Sequence, residues 1–354
     1  ISSSPTLLRT THKLPVGELL MTNEQLHDEL GIPQKEHLSR TALLGILAVK
    51  EAMSCVEIDS SKRIGLVSST SVGGMDLTEH FFEDFMQDST KGRLRDVKMH
   101  DCAASTDAIA KYCGINGYTT TISTACSSAA NAVMTGVKLL KHNIVDYVLV
   151  GGTDALSAFT LNGFKSLMIL DENKCRPFDA TRAGLNLGEG AGYLLLQREE
   201  DASEYYARVG GFANRNDAHH QTASSAEGNG AYLAMSDALT MANLEPNQIS
   251  YINAHGTGTG NNDASESVAF MRLFGDKVPP FSSTKAFTGH TLAAAGGTNA
   301  VTELVDVLMT EGNNVPAVHT LIPVCTFKEG VEVENVLTNS FGFGGNCSSL
   351  IFTR

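Results

Sequence analysis

The chain has 354 residues, of which 42% are hydrophobic and 18% are charged, and its formal net charge is −13. This length and apolar content suffice for one large core or two fused ones, and the acidic balance argues against binding to nucleic acid, whose phosphates need a basic surface. The seven cysteines show neither a CxxC pair nor a zinc spacing, and no apolar run could span a membrane, so we expect a cytoplasmic protein with reduced thiols, no metal site and no membrane segment.

Apolar and β-branched runs alternate with stretches of helical spacing along the chain. Short β-branched runs predict buried strands, and apolar residues three or four positions apart predict helices. The predicted elements, in chain order, are the helix Thr41–Met53, the strand Tyr118–Thr124, the helix Ser127–Lys141, the strands Tyr147–Gly151 and Gly192–Gln197, the helix Ala231–Ala242, the strand Ile249–Ala254, the helices Ala264–Phe274 and Thr298–Glu311, and the strand Ser348–Thr353. Strands that alternate with helices predict an α/β protein whose sheets are covered on both faces.

The two halves of the chain share one faint pattern. The predicted strand Tyr118–Thr124 leads into a helix of small residues over 127–133, and much later Pro280–Lys285 leads into a similar stretch over 293–301. Duplication of one α/β unit would produce this repetition, although chance explains it equally well.

The domain organisation follows from the lack of any low-complexity linker in the sequence. We therefore expect two closely packed halves, and the charged turn Gln197–Glu204 is the best candidate for the connection between them. The N-terminal half, at 1–203, would carry the nucleophile described next, and the C-terminal half, at 204–354, would carry its partners.

Cys126 is the strongest candidate for a nucleophile. It follows a β-branched strand and immediately precedes the helix of small residues that starts at Ser127. The unpaired amides and positive dipole end of a helix at this position favour a thiolate, and small neighbours let a substrate approach. A buried structural cysteine is the alternative on local sequence alone, and it is the expected state of the other six cysteines, which lack this context.

Two histidines lie where a strand runs into a glycine-rich turn. His255 stands in Asn253-Ala-His-Gly-Thr-Gly-Thr-Gly260, and His290 closes the segment Ser282–His290. Glycine at a strand end lets the backbone bend around a ligand while a neighbouring side chain faces a cleft. A lone histidine is more often a core or surface residue, but the shared composition of these two loops distinguishes this pair.

The run Asn339-Ser-Phe-Gly-Phe-Gly-Gly345 is the fourth candidate piece of a site. In it Gly342 and Gly344 alternate with Phe341 and Phe343. The glycines could simply form a turn between two strands. Alternatively, they could let a backbone N–H point into a site that a phenyl ring screens.

Together these segments resemble the β-ketoacyl-acyl-carrier-protein synthases of the elongating, Cys-His-His type, within the thiolase superfamily. The matching stretches follow the family's order along most of the chain: Thr124–Ser128, Arg176–Asp179, Gly188–Gly192, Asn253–Thr259, Ser283–His290 and Asn339–Gly345. The resemblance implies the thiolase fold, in which two duplicated α/β halves stack as five layers, αβαβα. It also implies a dimer, of identical chains or with a related subunit. The pair of histidines separates this branch from chain-initiating synthases, which use His and Asn, and from thiolases, which use a second Cys.

The resemblance further implies a decarboxylative Claisen condensation of an acyl group on acyl carrier protein (ACP) with malonyl-ACP. The product would be 3-oxoacyl-ACP, in fatty-acid or related polyene or polyketide elongation. Cys126 would carry the acyl group, while His255 and His290 would donate hydrogen bonds to the thioester oxygen as malonyl loses CO2. Lys285 would orient the histidines. The substrates are carried on the phosphopantetheine of ACP, and the enzyme itself binds no cofactor.

The same resemblance implies roles for several other residues. The backbone amides of Cys126 and Phe343 would stabilise the oxyanion of acyl transfer, and Gly342 and Gly344 would shape the turn that presents the second amide. The Phe343 ring would gate the acyl pocket, and the loop Asp217–Ala223 would be a second gate. Substrate contacts are expected from Thr257, Thr259, Asp217 and Phe341.

Several positions depart from the family pattern. Asn299 stands where the family has an acidic residue, which leaves open the partner of Lys285 and any monovalent-cation site. Glu303 lies one helical turn further on and could replace that acid, or Lys285 could be hydrated. The family's Gly-Gly-Thr-Asn reads Gly344-Gly-Asn-Cys347, and Gly260 replaces a usual proline. These changes predict a specialised branch, such as a polyene pathway.

The expected partner is ACP, which is acidic, so basic side chains are the candidate contacts. Lys35, Arg40, Lys62 and Arg63 are the candidates, with ordinary solvated charges as the alternative interpretation. The family pattern also places a central strand ahead of Ile1, which we expect preceding residues to supply.

Two other functions stay open at this point. The chain could be a non-catalytic chain-length partner of an active synthase, although such partners usually lose the nucleophile and Cys126, His255 and His290 are all present. It could also be a thiolase-type acyltransferase or a Cys-His hydrolase. Release of CO2 from malonyl-ACP separates a synthase from these alternatives.

Overall fold

The structure is a computed structural model that describes residues 1–8, 10–59, 61–302 and 333–354, with the helix path alone over 299–302. Its strands are β1 (Val16–Gly17), β2 (Ile64–Ser69), β3 (Thr119–Ile122), β4 (Tyr147–Asp154), β5 (Leu187–Gly188), β6 (Gly190–Gln197), β7 (Arg208–Asn216), β8 (Tyr251–Asn253), β9 (Phe281–Ser282), β10 (Asn335–Gly342) and β11 (Asn346–Thr353). Its α-helices are α1 (Asn23–Leu30), α2 (Arg40–Ser54), α3 (Met75–Gln87), α4 (Leu94–Lys98), α5 (Cys102–Cys113), α6 (Ser128–Lys141), α7 (Ala158–Ser166), α8 (Asn229–Ala242), α9 (Gly260–Phe274), α10 (Lys285–Thr288) and α11 (Ala295–Thr302).

The predicted elements correspond to β3, β4, β6, β8 and β11 and to α2, α6, α8, α9 and α11. The strand predicted at Tyr147–Gly151 continues to Asp154, because Gly152 and Thr153 pair with Gly192 and Ala191 of β6. The last part of the helix predicted to end at Glu311 lies outside the described residues.

Two main sheets have matching topologies. The first has the order β3-β2-β4-β6 and the second has the order β7-β11-β10-β8-β9. In the first sheet, β3, β2 and β4 are parallel and β6 is antiparallel to β4. In the second, β9, β8 and β10 are parallel and β11 is antiparallel to β10. This one-to-one correspondence favours duplication over chance as the origin of the sequence repetition.

The second sheet has one more strand than the first within the described part of the chain. That strand, β7, lies at the edge, antiparallel to β11. The corresponding place in the first sheet is beside β6, where the described residues supply no strand. By analogy with β7, we expect the strand ahead of Ile1 to lie at the edge of the first sheet, beside β6.

The helices and sheets stack as the predicted five layers. The helices α2 and α5 cover the outer face of the first sheet, α6 and α11 lie between the sheets, and α8 and α9 cover the outer face of the second. Helix α6 packs closely on β4, since a methyl group at Gly136 would lie 2.3 Å from Val150 Cγ1. Val133 of this helix and Leu350 of β11 belong to the same buried cluster between the sheets.

The chain passes from the first sheet to the second through the charged turn. Strand β6 ends at Gln197, a short 3-10 turn covers Glu199–Asp201, and β7 begins at Arg208. The boundary proposed at residues 203 and 204 falls in this connection. Among the described residues, no helix combines the length and the apolar character needed to cross a bilayer.

Candidate active site

Cys126 lies in a sharp turn between β3 and α6. Ala125 before it has a φ of 54°, a left-handed conformation that costs a non-glycine residue about 1–2 kcal/mol. The turn is held by its own hydrogen bonds: the Thr124 N–H donates to Ser128 Oγ at 2.8 Å, and that hydroxyl donates to the Ala125 carbonyl. A strained, internally bonded turn immediately before a helix fixes the position of the thiol.

Burial and local hydrogen bonding act on the Cys126 thiol in opposite directions. The side chain is 7% exposed, and burial raises the pKa of the thiol to about 11. The charge of Lys285 and the backbone N–H groups of Cys126 and Phe343 act to lower that pKa. Burial thus outweighs the thiolate preference expected at the start of a helix. These backbone N–H groups, of Cys126 and Phe343, are the ones that we predict to bind the oxyanion of acyl transfer.

His290 follows Gly289, whose φ of 72° turns the chain after α10. Its backbone N–H donates to the Asn186 carbonyl at 2.7 Å, and its Nδ1 accepts the backbone N–H of Leu292 at 3.0 Å. A nitrogen that accepts this bond carries no proton, so in the neutral ring the proton is on Nε2. Burial and the nearby Lys285 charge hold the pKa of His290 well below 6.5. The ring is therefore a neutral donor through Nε2–H.

His255 follows β8 and lies next to His290. The two ring centroids are 5.5 Å apart with an interplanar angle of 81°, and the Phe341 ring is also 5.5 Å from His255. Burial, Lys285 and His290 hold the pKa of His255 well below 6.5, so this ring is neutral as well. Its Nδ1 makes no hydrogen bond to any of the described residues.

Lys285 joins the histidines to the nucleophile. The side chain is 1% exposed, and its Nζ donates to the His255 carbonyl. Burial lowers the pKa of the ammonium, while Cys126, Glu266, Cys175 and Asp263 act to raise it. The predicted catalytic residues Cys126, His255, Lys285 and His290 thus form one buried group.

Sequence reasoning missed two buried carboxylates that support the His255 loop. Both oxygens of Glu266 accept backbone N–H groups at 2.9 Å, from His255 and Gly256. Asp263 accepts the N–H groups of Thr257 and Gly258 at 3.0 and 3.2 Å. The available signal was their place in α9, directly after the glycine-rich turn. Burial raises the pKa of Glu266 to about 7.

The turn between β10 and β11 contacts the nucleophile turn. A methyl group at Gly342 would lie 2.8 Å from the Thr124 carbonyl oxygen, so only glycine allows this approach. Gly344 has a φ of 85° and donates its N–H to the Gln221 carbonyl at 2.7 Å. The Phe343 ring is 38% exposed and stacks on Phe164 with a centroid distance of 6.0 Å. The predicted gate ring thus lies at the surface, against α7.

The residues predicted to contact substrate lie in different surroundings. Thr257 is buried, and its Oγ1 is 2.9 Å from Thr259 Oγ1. The Asp217 carboxylate accepts hydrogen bonds from Ser225 and from the Gly230 N–H at 2.9 Å. Those hydrogen bonds outweigh desolvation and hold its pKa below its usual range. The Asp217 carboxylate therefore ties its own loop to the start of α8.

Two of the basic side chains that were candidates for contact with ACP, Arg40 and Arg63, have acidic partners within the chain. The prediction that Arg40 contacts ACP is wrong, because its guanidinium is buried against Glu189, with Nη2 2.6 Å from Oε1. Arg63 is exposed and pairs with Asp146 at 2.9 Å. The Asn299 side chain and Glu303 lie outside the described residues.

The described residues contain no cluster of three or more histidine, cysteine or acidic side chains that could hold a metal ion. The groups that the structure brings together at the site are a thiol, two neutral imidazoles, an ammonium and two backbone amides.

Two family models match the chain. The N-terminal domain of β-ketoacyl synthases matches residues 4–202, and the C-terminal domain of β-ketoacyl synthases matches residues 206–320. The chain is also similar to curated relatives. The 3-oxoacyl-[acyl-carrier-protein] synthase 2 of Staphylococcus aureus is 31% identical over 96% of this chain and 87% of the relative. The Vibrio cholerae synthase of the same name is 32% identical over 88% of this chain and 80% of the relative.

Solved structures show the same similarity. A ketosynthase in complex with its chain length factor from Xenorhabdus doucetiae matches with 33% identity and a TM-score of 0.83, over 98% of this chain and 88% of that chain. A β-ketoacyl synthase from Burkholderia phymatum matches with 28% identity and a TM-score of 0.80, over 91% of this chain and 84% of that chain.

Proposed function

The chain belongs to the β-ketoacyl synthase family, and we propose that it catalyses the decarboxylative Claisen condensation of an acyl-ACP with malonyl-ACP. The product is 3-oxoacyl-ACP, and the reaction passes through an acyl group on Cys126. One observation carries this proposal: Lys285 bonds to His255, His255 packs on His290, and Lys285 acts on the Cys126 thiol, all in one buried group.

Acyl transfer is the first step. The Cys126 sulfur attacks the acyl thioester carbonyl, and the oxyanion that forms lies by the backbone N–H groups of Cys126 and Phe343. Collapse of this intermediate breaks the bond to the phosphopantetheine sulfur, which leaves as a thiol after protonation. The high pKa of the buried Cys126 thiol means that its proton must leave as the substrate binds, and the Lys285 charge favours this loss.

Decarboxylation is the second step. The bond from the malonyl Cα to its carboxylate breaks, CO2 leaves, and the electron pair moves into an enolate whose oxygen accepts hydrogen bonds. The Nε2–H of His290 and the imidazole of His255 supply these donors while both rings stay neutral. Each preorganised donor of this kind contributes about 2.7–4 kcal/mol to the transition state. The enolate carbon then attacks the acyl-Cys126 carbonyl and releases the thiolate.

The substrates imply ACP as a partner, because they arrive on its phosphopantetheine. No bound cofactor takes part in either step, and we place the reaction in the cytoplasm. A second subunit, identical or related, is supported by exposed apolar side chains on the neighbouring helices α3 and α7. Phe82 and Met86 of α3 are 57% and 67% exposed, and Phe159 of α7 is 61% exposed. Such patches commonly mark protein interfaces.

A chain-length partner without activity is the second candidate function. The similarity to a ketosynthase in complex with its chain length factor favours a heterodimer of this kind. The intact Cys126, His255 and His290 group argues against a purely non-catalytic role.

A product assay that compares the parent protein with a variant lacking the Cys126 thiol tests the proposal. The purified protein is incubated with malonyl-ACP carrying a labelled carboxyl group and with a panel of acyl-ACPs. We expect labelled CO2, a 3-oxoacyl-ACP in the mass spectrum, and an acylated peptide that contains Cys126. Replacement of Cys126 by Ala should abolish the condensation product. Free fatty acid without CO2 would indicate a hydrolase, and no turnover by the parent protein would favour the chain-length partner.

A further inference from the structure

Three asparagines from three elements meet beside the nucleophile turn. Asn131 belongs to α6, Asn214 to β7, and Asn346 begins β11. The Oδ1 of Asn346 lies 3.1 Å from Asn131 Nδ2, 2.7 Å from Asn214 Nδ2 and 2.6 Å from Ser127 Oγ. One amide oxygen therefore accepts hydrogen bonds from both halves of the molecule.

This cluster holds the nucleophile turn on both sides of Cys126. Ser127 directly follows Cys126, and its hydroxyl, which is shared with Asn346, also lies 2.7 Å from the Thr124 carbonyl. Asn131 Nδ2 donates to Thr124 Oγ1 at 2.9 Å. Asn346 is thus connected directly to Ser127 and, through Asn131, to Thr124.

Asn346 also fixes the turn that presents the Phe343 amide. It pairs with Gly342 at the end of the β10–β11 hairpin, and Gly342 approaches the Thr124 carbonyl too closely for a side chain. The Phe343 N–H lies between these two anchor points and acts to lower the pKa of the Cys126 thiol. A displacement of Asn346 would therefore move the amide relative to the thiol.

We propose that Asn346 is a positioning residue that keeps the Cys126 turn and the Phe343 amide in register for acyl transfer. The inference rests on the proposed condensation, and it assigns Asn346 to the acyl-transfer step and not to decarboxylation. The decarboxylation donors on His255 and His290 lie on other loops and make no hydrogen bond to this cluster among the described residues.

The test replaces Asn346 by Leu, which has a similar size but accepts no hydrogen bond. Displacing a catalytic group by about 1 Å can cost about 100-fold in rate, so we expect acyl transfer from acyl-ACP to Cys126 to fall about tenfold or more. Decarboxylation of malonyl-ACP should stay within about twofold of the parent rate. Alkylation of Cys126 by iodoacetamide, followed over a range of pH, should slow at each pH because the thiolate loses a hydrogen-bond donor.

Matched variants keep the test interpretable. Asn335→Leu changes an asparagine at the other end of the same hairpin, opposite Thr353, and should leave all three rates unchanged. Ser127→Ala removes the donor to Asn346 without altering the hairpin and should reproduce the selective loss. The fold-loss of acyl transfer in the double variant should be smaller than the product of the two single fold-losses, because both substitutions remove the same hydrogen bond.

Two results would overturn the inference. One is an Asn346→Leu protein that matches the parent in alkylation and acyl transfer. The other is an equal loss of transfer and decarboxylation, which indicates general damage. Failure of the proposed function would give a different result. If the parent protein has no condensation activity, the alkylation of Cys126 can still be slower in Asn346→Leu than in the parent.

Discussion

At the scale of single residues, the most informative bond is that between the Leu292 N–H and His290 Nδ1. It selects one tautomer of a neutral imidazole, so the proton that can reach a substrate is on Nε2. Burial keeps the pKa of both active-site histidines well below 6.5. Near neutral pH both rings are therefore uncharged, and each can donate a hydrogen bond to an enolate oxygen through its one N–H.

Replacement of His290 by Ala should separate the two steps of the reaction. Loss of one preorganised donor lowers a rate by about 100- to 1000-fold, so malonyl-ACP decarboxylation should fall by that factor while some acyl transfer to Cys126 persists. Labelled CO2 and the mass of the acyl-enzyme measure the two steps. His142 is exposed at the end of α6, and His142→Ala should change neither. Decarboxylation at the parent rate in His290→Ala would show that the assigned role is wrong.

Glu266 makes a prediction about pH and stability. Its folded-state pKa of about 7 lies above the 4.5 of an unperturbed side chain, so the folded protein holds a proton here that the unfolded chain releases. The contribution of this group to stability is therefore full below about pH 4.5 and is lost as pH rises to about 7. Glu266→Gln removes the titration. Between pH 5 and 7, the parent should lose on the order of 2 kcal/mol of unfolding free energy relative to this variant.

Urea unfolding at several pH values measures that difference. The exposed Glu227 supplies the control, since Glu227→Gln should follow the parent across the same range. A constant offset between Glu266→Gln and the parent would mean that the carboxylate is already ionised throughout, and the raised pKa would be incorrect.

The residues that we propose to be catalytic could be selected from the sequence, but the groups that support them could not. Cys126, His255 and His290 each lie at a strand end beside small residues, and that local pattern identified them. Glu266 and Asp263 have no such signature, because their importance comes from backbone N–H groups that only the folded loop brings to α9. Arg40 was misjudged for the same reason: its partner Glu189 is distant in sequence.

At the scale of elements, the β10–β11 hairpin and the turn before α6 behave as one unit. The hairpin pairs without interruption from Asn335 to Gly342, so its end is carried rigidly to the nucleophile. Sequence periodicity predicted β11 but not β10, although both are buried. The run Asn335–Gly342 mixes polar residues with apolar ones, which hides the strand pattern. The burial of Asn339 depends on a partner that only the fold supplies, Ser349 Oγ at 2.7 Å.

Gly342→Ala tests this contact between elements. The added methyl would lie 2.8 Å from the Thr124 carbonyl and 3.3 Å from the Cys126 nitrogen, so the hairpin must move away from the thiol. We expect acyl transfer to fall at least about tenfold, given the rate cost of about 1 Å of misplacement. Gly163→Ala is the control, because nothing lies within 4 Å of its added methyl. Quenched-flow measurement of acyl-enzyme formation compares the two, and equal rates would contradict the close packing.

At the scale of the whole molecule, the site exists only because the two similar sheets face each other. The nucleophile follows β3 of the first sheet, whereas His255, Lys285 and His290 follow strands of the second. The alternation of strands and helices predicted an α/β protein with covered sheets, and the family resemblance supplied the five layers. The order of strands within each sheet could not be predicted in this way, because it depends on pairing between distant segments.

The first sheet leaves β3 at an edge. The carbonyls of Tyr118 and Ile122 accept N–H groups of β2, and in a parallel pair alternate residues face the same neighbour. Thr119 and Thr121 therefore direct their backbone groups away from β2. Within the described part of the chain no strand pairs with this side of β3. An edge strand is a ready surface for pairing with another chain, and we expect the second subunit to pair there.

Thr119→Pro should weaken that assembly while keeping the fold, because proline removes an N–H that β2 does not use. Native mass spectrometry and light scattering at micromolar concentration should find a dimer for the parent and mainly monomer for this variant. Thr119→Ser retains the N–H and should stay dimeric. Circular dichroism must show the same helix and strand content in all three proteins. A Thr119→Pro dimer as stable as the parent's would place the subunit interface elsewhere, and a monomeric parent would instead favour a heterodimer with a related chain.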